Sequence, residues 1–155
     1  MALYLVQHGK SIPKEQDQDQ GLSGEGIAEV NRIAGVAAGY GVRPGTIRHS
    51  GRKRAEQTAR IFADALLAGR GEAEPISGIG PLDDVAAVAN TLKTGDNLML
   101  VGHLPFMERI TGFLVAGSAE MLIFKFQNGG IVCLDKNPED RFWFIKWTLM
   151  PKIGA

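Results

Sequence analysis

The stretch Leu3-Tyr4-Leu5-Val6-Gln7-His8-Gly9 decides how this chain is organised. Its four consecutive apolar residues, Leu3 to Val6, leave no polar face and predict a strand that is buried on both sides. His8 lies at the carboxyl end of this strand, which is where ligands bind in open α/β sheets. Gly9 allows the backbone to turn sharply and to approach a ligand closely. His8 is therefore a candidate nucleophile, base or metal ligand, with a purely structural histidine as the alternative.

A second buried strand ends in the same way. The run Asn97 to Val101 is apolar after its first residue, and Gly102-His103 follows it. A third strand, Thr46 to Ser50, leads into a helix whose start is rich in arginine. Because the carboxyl ends of parallel strands share one edge of a sheet, we expect His8, His103 and Arg54 to lie together.

Strands and helices alternate over the first two thirds of the chain, which predicts a parallel sheet with helices on both faces. Ser23 is placed to cap the first helix, and the apolar stripe of that helix has three- and four-residue spacing. This stripe comprises Ile27, Val30, Ile33, Ala34 and Ala37. Residues 75–79 are read as a short strand.

The last third of the chain predicts antiparallel strands at 121–126, 130–134 and 142–149, with turns at 128–129 and 137–140. The expected fold is α/β: one three-layer α/β/α domain over residues 1–155. Its central sheet is mainly parallel, with antiparallel C-terminal strands.

The overall charge is balanced, with 17 basic and 17 acidic residues, so no global field indicates a nucleic acid or membrane partner. The single cysteine, Cys133, excludes an internal disulfide and a cysteine-rich zinc site. No segment is long enough to span a bilayer, and the apolar run at the N-terminus is too short for a signal peptide. These features predict a cytoplasmic protein, and we expect a monomer.

Local charge is asymmetric between residues 43 and 60, where six basic residues face one acid, Glu56. The six are Arg43, Arg48, Arg52, Lys53, Arg54 and Arg60. Two imidazoles and a guanidinium without a carboxylate cage suit an anionic group such as phosphate. A solvated basic face is the alternative for the arginines, and a metal site is the rival interpretation of the histidines.

The three motifs occur in the order found in the histidine phosphatase (phosphoglycerate-mutase-like) superfamily. Residues 3–9 resemble its Arg-His-Gly signature, residues 50–59 resemble its Ser-x-x-x-Arg-Ala-x-Gln-Thr-Ala helix start, and Val101-Gly102-His103-Leu104-Pro105 resembles its second-histidine motif. The short length, the Leu22-Ser23-x-x-Gly26 stretch and the tail at 130–134 are similar to the SixA-type phosphohistidine phosphatases. The resemblance covers nearly the whole chain.

The resemblance implies a metal-independent mechanism without a cofactor. His8 would attack phosphorus to form a phosphohistidine intermediate that water hydrolyses. Arg54 and His103 would hold the phosphoryl oxygens as catalytic groups, and Gln7 and Gly9 would contribute to phosphate binding. The acid that protonates the leaving group is open: Asp83 and Asp84 follow a predicted strand, but either also fits a helix N-cap.

Gln7 departs from the superfamily pattern, which has arginine at this position. Glutamine can donate a hydrogen bond to phosphate but lacks the charge and the two-pronged fork. Loss of such a donor costs on the order of 3 kcal/mol in the transition state. Lys10, Arg52 or Lys53 could supply the missing charge.

The sequence thus predicts a phosphatase that acts on phosphohistidine in a protein, with phosphate or another oxyanion in the site. One alternative is a catalytically weakened module that binds phosphate or a phosphoprotein. Another is a small-molecule phosphomonoesterase. Retention of both His8 and His103 favours the enzyme, because a pure binding module needs no nucleophile.

Overall fold

A computed structural model describes residues 2–154 and shows a six-stranded sheet between two layers of helices. The helices are α1 (Gly24–Gly39), α2 (Lys53–Leu66), α3 (Val85–Ala89) and α4 (Phe106–Ala116). The strands are β1 (Leu3–Gln7), β2 (Thr46–His49), β3 (Glu74–Pro75), β4 (Leu98–Gly102), β5 (Ile131–Asp135) and β6 (Phe144–Leu149). A 3-10 turn at Thr94–Asp96 precedes β4.

The strand order is β3-β2-β4-β1-β5-β6, with β3, β2, β4 and β1 mutually parallel. β5 runs antiparallel to β1, and β6 runs antiparallel to β5. This arrangement confirms the predicted α/β fold, with a parallel core and antiparallel C-terminal strands. No helix within residues 2–154 has the length and apolar character needed to cross a membrane.

β1 is buried on both faces because a helical layer covers each one. Tyr4 and Val6 belong to the apolar cluster beneath α1 and α2, whereas Leu3 and Leu5 belong to the cluster beneath α3 and α4. Alternating side chains of one strand thus enter two different cores, and this explains why the strand has no polar face.

The first helix begins as predicted, but its buried stripe is displaced by one residue at the start. Ser23 caps α1 by accepting a hydrogen bond from the Gly26 amide at 3.0 Å. Ile27, expected in the stripe, is 42% exposed, whereas Gly26 is buried. The helix instead turns Gly26 toward the backbone of Lys10, and this places Ile27 about 100° away from the core on a 3.6-residue helix.

Residues 121–126 do not form the predicted strand, and Met121 and Leu122 are exposed. Both edges of β5 are occupied, by β1 and β6, so this segment does not pair with β5. It packs against α4 instead, where the Phe126 amide donates to Glu108 Oε2 at 3.1 Å. The strand expected at 75–79 is also shorter, since only Glu74 and Pro75 pair with β2.

Gly26 is required by the close approach of another part of the backbone. A Cβ at this position would collide with the carbonyl oxygen of Lys10, which accepts a hydrogen bond from the Ser23 amide at 2.9 Å. This contact fixes the chain just after Gly9 against the start of α1. The glycine therefore helps to set the path of the backbone that leaves β1.

We predict that Gly26→Ala lowers the free energy of unfolding by about 2 kcal/mol, because the backbone must move to admit the methyl group. Gly35→Ala is the matched control in the same helix, since a Cβ at Gly35 meets nothing within 4 Å. It should stabilise the protein by about 0.5–1 kcal/mol through helix propensity. Urea unfolding followed by circular dichroism measures both. Equal effects of the two substitutions would contradict the role assigned to Gly26.

Candidate active site

The register of the parallel strands brings the two histidines together. Gln7 of β1 lies opposite Gly102 of β4, so the next residues, His8 and His103, are also neighbours. Their ring centroids are 5.1 Å apart with an interplanar angle of 53°. The expectation that two strand-end histidines share one sheet edge is therefore met in the structure.

The backbone around His8 is held from three sides. The His8 amide donates to the Gly102 carbonyl at 3.0 Å, and the His8 carbonyl accepts from Asn128 Nδ2 at 2.9 Å. The next amide, that of Gly9, donates to Thr58 Oγ1 at 2.9 Å. The predicted phosphate contact therefore has no free donor at Gly9, because this amide is engaged inside the fold.

Glycine at position 9 serves close packing. A Cβ there would lie 2.7 Å from a methyl carbon of Val30 in α1. Sequence reasoning did not identify Thr58 or Asn128 as residues that support the site. Thr58 sits among the buried positions of α2, and a polar residue on such a face was the available signal. For Asn128 the sequence predicts only a place in the turn at 128–129.

The His8 ring is oriented by its own chain. Nδ1 lies 2.7 Å from the carbonyl oxygen of Gly9, and because a carbonyl can only accept, Nδ1 carries the hydrogen. Nε2 then keeps its lone pair. Burial lowers the pKa of His8; the Gly9 hydrogen bond opposes this, and the nearby Arg54 charge adds to the lowering. The structure therefore favours a neutral ring whose Nε2 is unprotonated.

His103 is 2% exposed and pairs with a hydroxyl group. Its Nε2 lies 2.6 Å from Ser50 Oγ, whereas its Nδ1 is buried and has no hydrogen-bond partner within residues 2–154. Burial, followed by the charges of His8, Arg54 and Arg52, lowers the pKa of His103 to about 3. This histidine is neutral near pH 7 and acts as a polar group rather than as a cation.

Arg54 is a half-buried cation at this edge of the sheet. It lies in the first turn of α2, and burial together with the charge of Arg52 lowers its pKa. No carboxylate of the part of the chain that the structure describes forms an ion pair with it. A guanidinium without an anion, beside two neutral imidazoles, suits an oxyanion.

The contacts of the Gln7 side chain differ from those of His8, His103 and Arg54. It lines a hollow with Lys10, Glu29, Phe126 and Lys152, and its Oε1 is buried without a partner in the described chain. The glutamine backbone is fixed as the strand requires, but its side chain is bonded to no charged group. Phosphate contact by Gln7 remains a prediction.

The two candidate acids, Asp83 and Asp84, make different contacts. Asp84 caps α3 by accepting from the Ala86 amide at 3.0 Å, as its alternative interpretation predicted. Asp83 Oδ2 accepts from the Gly80 amide at 2.7 Å and lines an open hollow with Ser50 and Arg52. Asp83 is therefore the one of the two that faces the site region.

The histidines do not gather further metal ligands. Within residues 2–154 there is no group of three or more His, Cys, Asp and Glu side chains placed to hold a metal ion. The third histidine, His49, accepts a hydrogen bond from the Gly51 amide at 3.1 Å. This contact ties one ring nitrogen of His49 to the loop before α2, as in a structural histidine.

Comparison with solved structures identifies the fold of this chain. The chain matches the protein histidine phosphatase SixA complexed with tungstate at a TM-score of 0.82, with 23% identity over 97% of each chain. A protein from Agrobacterium tumefaciens that is described as a phosphohistidine phosphatase SixA matches at a TM-score of 0.76. Its identity to this chain is 28%, over 97% of this chain and 98% of the other.

A more distant match is a phosphoserine phosphatase from Entamoeba histolytica in complex with 3-phosphoglyceric acid. Its TM-score is 0.71, with 17% identity over 96% of each chain. No protein-family model and no curated protein matches the sequence. The structural matches confirm the resemblance to the histidine phosphatase superfamily, and this chain has the phosphoglycerate-mutase-like fold of that superfamily.

We predict that Thr58→Val lowers stability by about 1–3 kcal/mol, because it leaves the Gly9 amide buried without a partner. Thr58→Ser keeps the hydroxyl and should lose clearly less stability. Chemical denaturation measures the difference. Hydrogen exchange at the Gly9 amide should accelerate in the valine variant only. Unchanged exchange there would show that the hydroxyl does not hold this backbone.

We also predict that stability falls as the pH is lowered from about 6.5 toward 3. The folded protein keeps His103 neutral over this range, whereas the unfolded chain binds a proton, so acid favours unfolding. His103→Gln should flatten the pH dependence of the unfolding free energy. Denaturation at several pH values, with NMR titration of the ring, measures the effect. A His103 titration near pH 6.5 would contradict the prediction.

Proposed function

We propose that this chain is a phosphatase that removes the phosphoryl group from phosphohistidine in a protein, through a phosphorylated His8. The observation that carries the proposal is the orientation of His8. Its Nδ1 is held by the Gly9 carbonyl, so that Nε2 keeps a lone pair. The centroids of the His8 and His103 rings are 5.1 Å apart. Neutral imidazole beside an unpaired arginine is the chemistry that attack on a phosphoryl group needs.

The proposed reaction has two displacements at phosphorus. In the first, Nε2 of His8 attacks, a new N–P bond forms, and the P–N bond to the substrate imidazole breaks as that nitrogen takes a proton from solvent water. In the second, water attacks the phosphorylated His8 and releases inorganic phosphate, and the bond electrons return to Nε2. Arg54 would stabilise the charge on the phosphoryl oxygens in both steps.

The proton requirement favours phosphohistidine over an alkyl phosphate. An alkoxide leaving group depends on a strong acid, whereas imidazole is a better leaving group. Asp83, the acid nearest to the site region, already accepts from the Gly80 amide, and Asp84 caps a helix. Two of the structural matches are SixA proteins, whose names state the same substrate class.

The second candidate, a weakened module that binds a phosphoprotein, rests on Gln7. Its Oε1 has no partner within residues 2–154, and no charge stands at this position. The enzyme proposal is preferred because the support of His8 by three backbone contacts serves catalysis, while binding alone would not require an oriented nucleophile.

The test is hydrolysis of a phosphohistidine in a histidine phosphotransfer domain, in the presence of EDTA. We expect the natural protein to hydrolyse this phosphohistidine and to trap radioactive phosphate on His8 in an acid-labile form. His8→Ala should reduce kcat by at least about a thousandfold. EDTA should leave the rate unchanged, since arginine supplies the positive charge.

Three outcomes separate the candidates. If the natural protein is inactive but Gln7→Arg is active, the chain is a phosphate-binding relative that has lost catalysis. If His8→Ala retains the natural rate, the nucleophile is wrong. If p-nitrophenyl phosphate and phosphoserine are hydrolysed faster than the phosphohistidine domain, the small-molecule phosphomonoesterase is favoured.

A further inference from the structure

The site is short of one positive charge, and three neighbouring basic residues are able to supply it. Gln7 stands where the superfamily signature has arginine, and Lys10, Arg52 and Lys53 lie near the site in the sequence. The sequence does not separate them. The structure does, because it shows which of their charges already have a carboxylate partner.

Two of the three are paired. Lys10 Nζ lies 2.7 Å from Glu25 Oε2, and Lys53 Nζ lies 3.4 Å from Asp17 Oδ2. Each pair lies at the surface and balances its own charge. An anion that arrived at the site would have to compete with these carboxylates for the ammonium groups.

Arg52 differs from both lysines. Among residues 2–154, no Asp or Glu oxygen lies within 4.0 Å of its guanidinium nitrogens. Asp83, which lines one hollow with Arg52, gives its Oδ2 to the Gly80 amide. Asp19 lines a second hollow with Arg52 but lies more than 4.0 Å from its guanidinium nitrogens. The positive charge of Arg52 is therefore left without a local partner.

The position of Arg52 is tied to the site. Its amide donates to Ser50 Oγ at 3.4 Å, and the same oxygen lies 2.6 Å from His103 Nε2. The side chain lines one hollow with Ser50 and a second with Arg54. Its charge contributes to lowering the pKa of both Arg54 and His103. Arg52 thus shares a hollow with Arg54 and is linked through Ser50 to His103, the two groups expected to hold the phosphoryl oxygens.

This placement is unfavourable in the absence of an anion. Arg52 is the N-cap of α2, where the helix dipole disfavours a positive charge, and it makes no side-chain capping bond. It also repels Arg54. An oxyanion between the two guanidinium groups would relieve both effects, since each can donate two parallel hydrogen bonds to it.

We propose that Arg52 is a second phosphoryl-binding arginine, which acts beside Arg54 and replaces the charge that is missing at Gln7. The proposal rests on the proposed function only in that the oxyanion is the phosphoryl group of the substrate. The side chain is exposed and thus accessible to an anion from solvent. Arg52 would contribute most when negative charge develops on the transferring oxygens.

The experiment compares Arg52→Ala, Arg52→Lys and Lys53→Ala. Lys53→Ala is the matched control, because it removes the same charge from the adjacent residue, whose ammonium group is already paired. Tungstate binding by calorimetry and hydrolysis of the phosphohistidine domain are both measured. We expect Arg52→Ala to weaken tungstate binding about tenfold and to lower kcat/KM about a hundredfold. Arg52→Lys should recover part of both, and Lys53→Ala should change neither by more than about twofold.

A double-mutant cycle with Gln7→Arg tests the replacement directly. If Arg52 compensates for Gln7, its removal should cost much less once arginine stands at position 7, and the two effects should not add. Thermal unfolding of each variant checks that the fold is intact. Equal effects of Arg52→Ala and Lys53→Ala, or full additivity with Gln7→Arg, would overturn the proposal.

Failure of this proposal differs from failure of the proposed function. If the natural protein does not hydrolyse phosphohistidine but Arg52→Ala still weakens tungstate binding, Arg52 keeps its role and the function is wrong. If hydrolysis proceeds through His8 and Arg52→Ala is without effect on binding and rate, the function stands and the role of Arg52 is wrong.

Discussion

The parallel pairing of β1 with β4 is the constraint on which the site depends. Opposite Gly102, Gln7 occupies the last paired position of β1, and the His8 amide continues the ladder by donating to the Gly102 carbonyl at 3.0 Å. A shift by one residue would turn His8 to the other face of the sheet, away from His103. The register is secured by the apolar side chains of β1, which must enter two separate cores at once. The chemistry of the edge therefore follows from the packing of the strand interior.

The site keeps positive charge off its two imidazoles. Both imidazoles are neutral near pH 7, because burial and the neighbouring guanidinium groups oppose their protonation. Positive charge is left to Arg54 and Arg52, which the described chain does not pair with carboxylates. In the proposed reaction, a neutral His8 beside unpaired arginines would separate attack from charge stabilisation, because the attacking nitrogen keeps its lone pair in the presence of cations.

Much of this could be predicted from local patterns. Buried strands that end in histidine, the Ser23 cap and the antiparallel C-terminal strands all depend on neighbouring residues. Other features depend on contacts that are distant in sequence. Ile27 is exposed because Gly26 meets the Lys10 backbone, and residues 121–126 pack against α4 instead of joining the sheet. Thr58 and Asn128 support His8 through the fold alone, and no periodicity reveals their partners. The ion pairs of Lys10 and Lys53 with acids that are distant in sequence likewise cannot be predicted from local patterns.

The support of His8 by Asn128 also bears on when the site forms. The two residues are 120 positions apart, and the β1–β4 pair joins residues that are 95 positions apart. Contacts of such long range require large loops to close and tend to form late in folding. During synthesis His8 is therefore made 120 residues before Asn128, the last of the residues that hold its backbone. A chain interrupted before residue 128 would thus carry the proposed nucleophile without its complete backbone support.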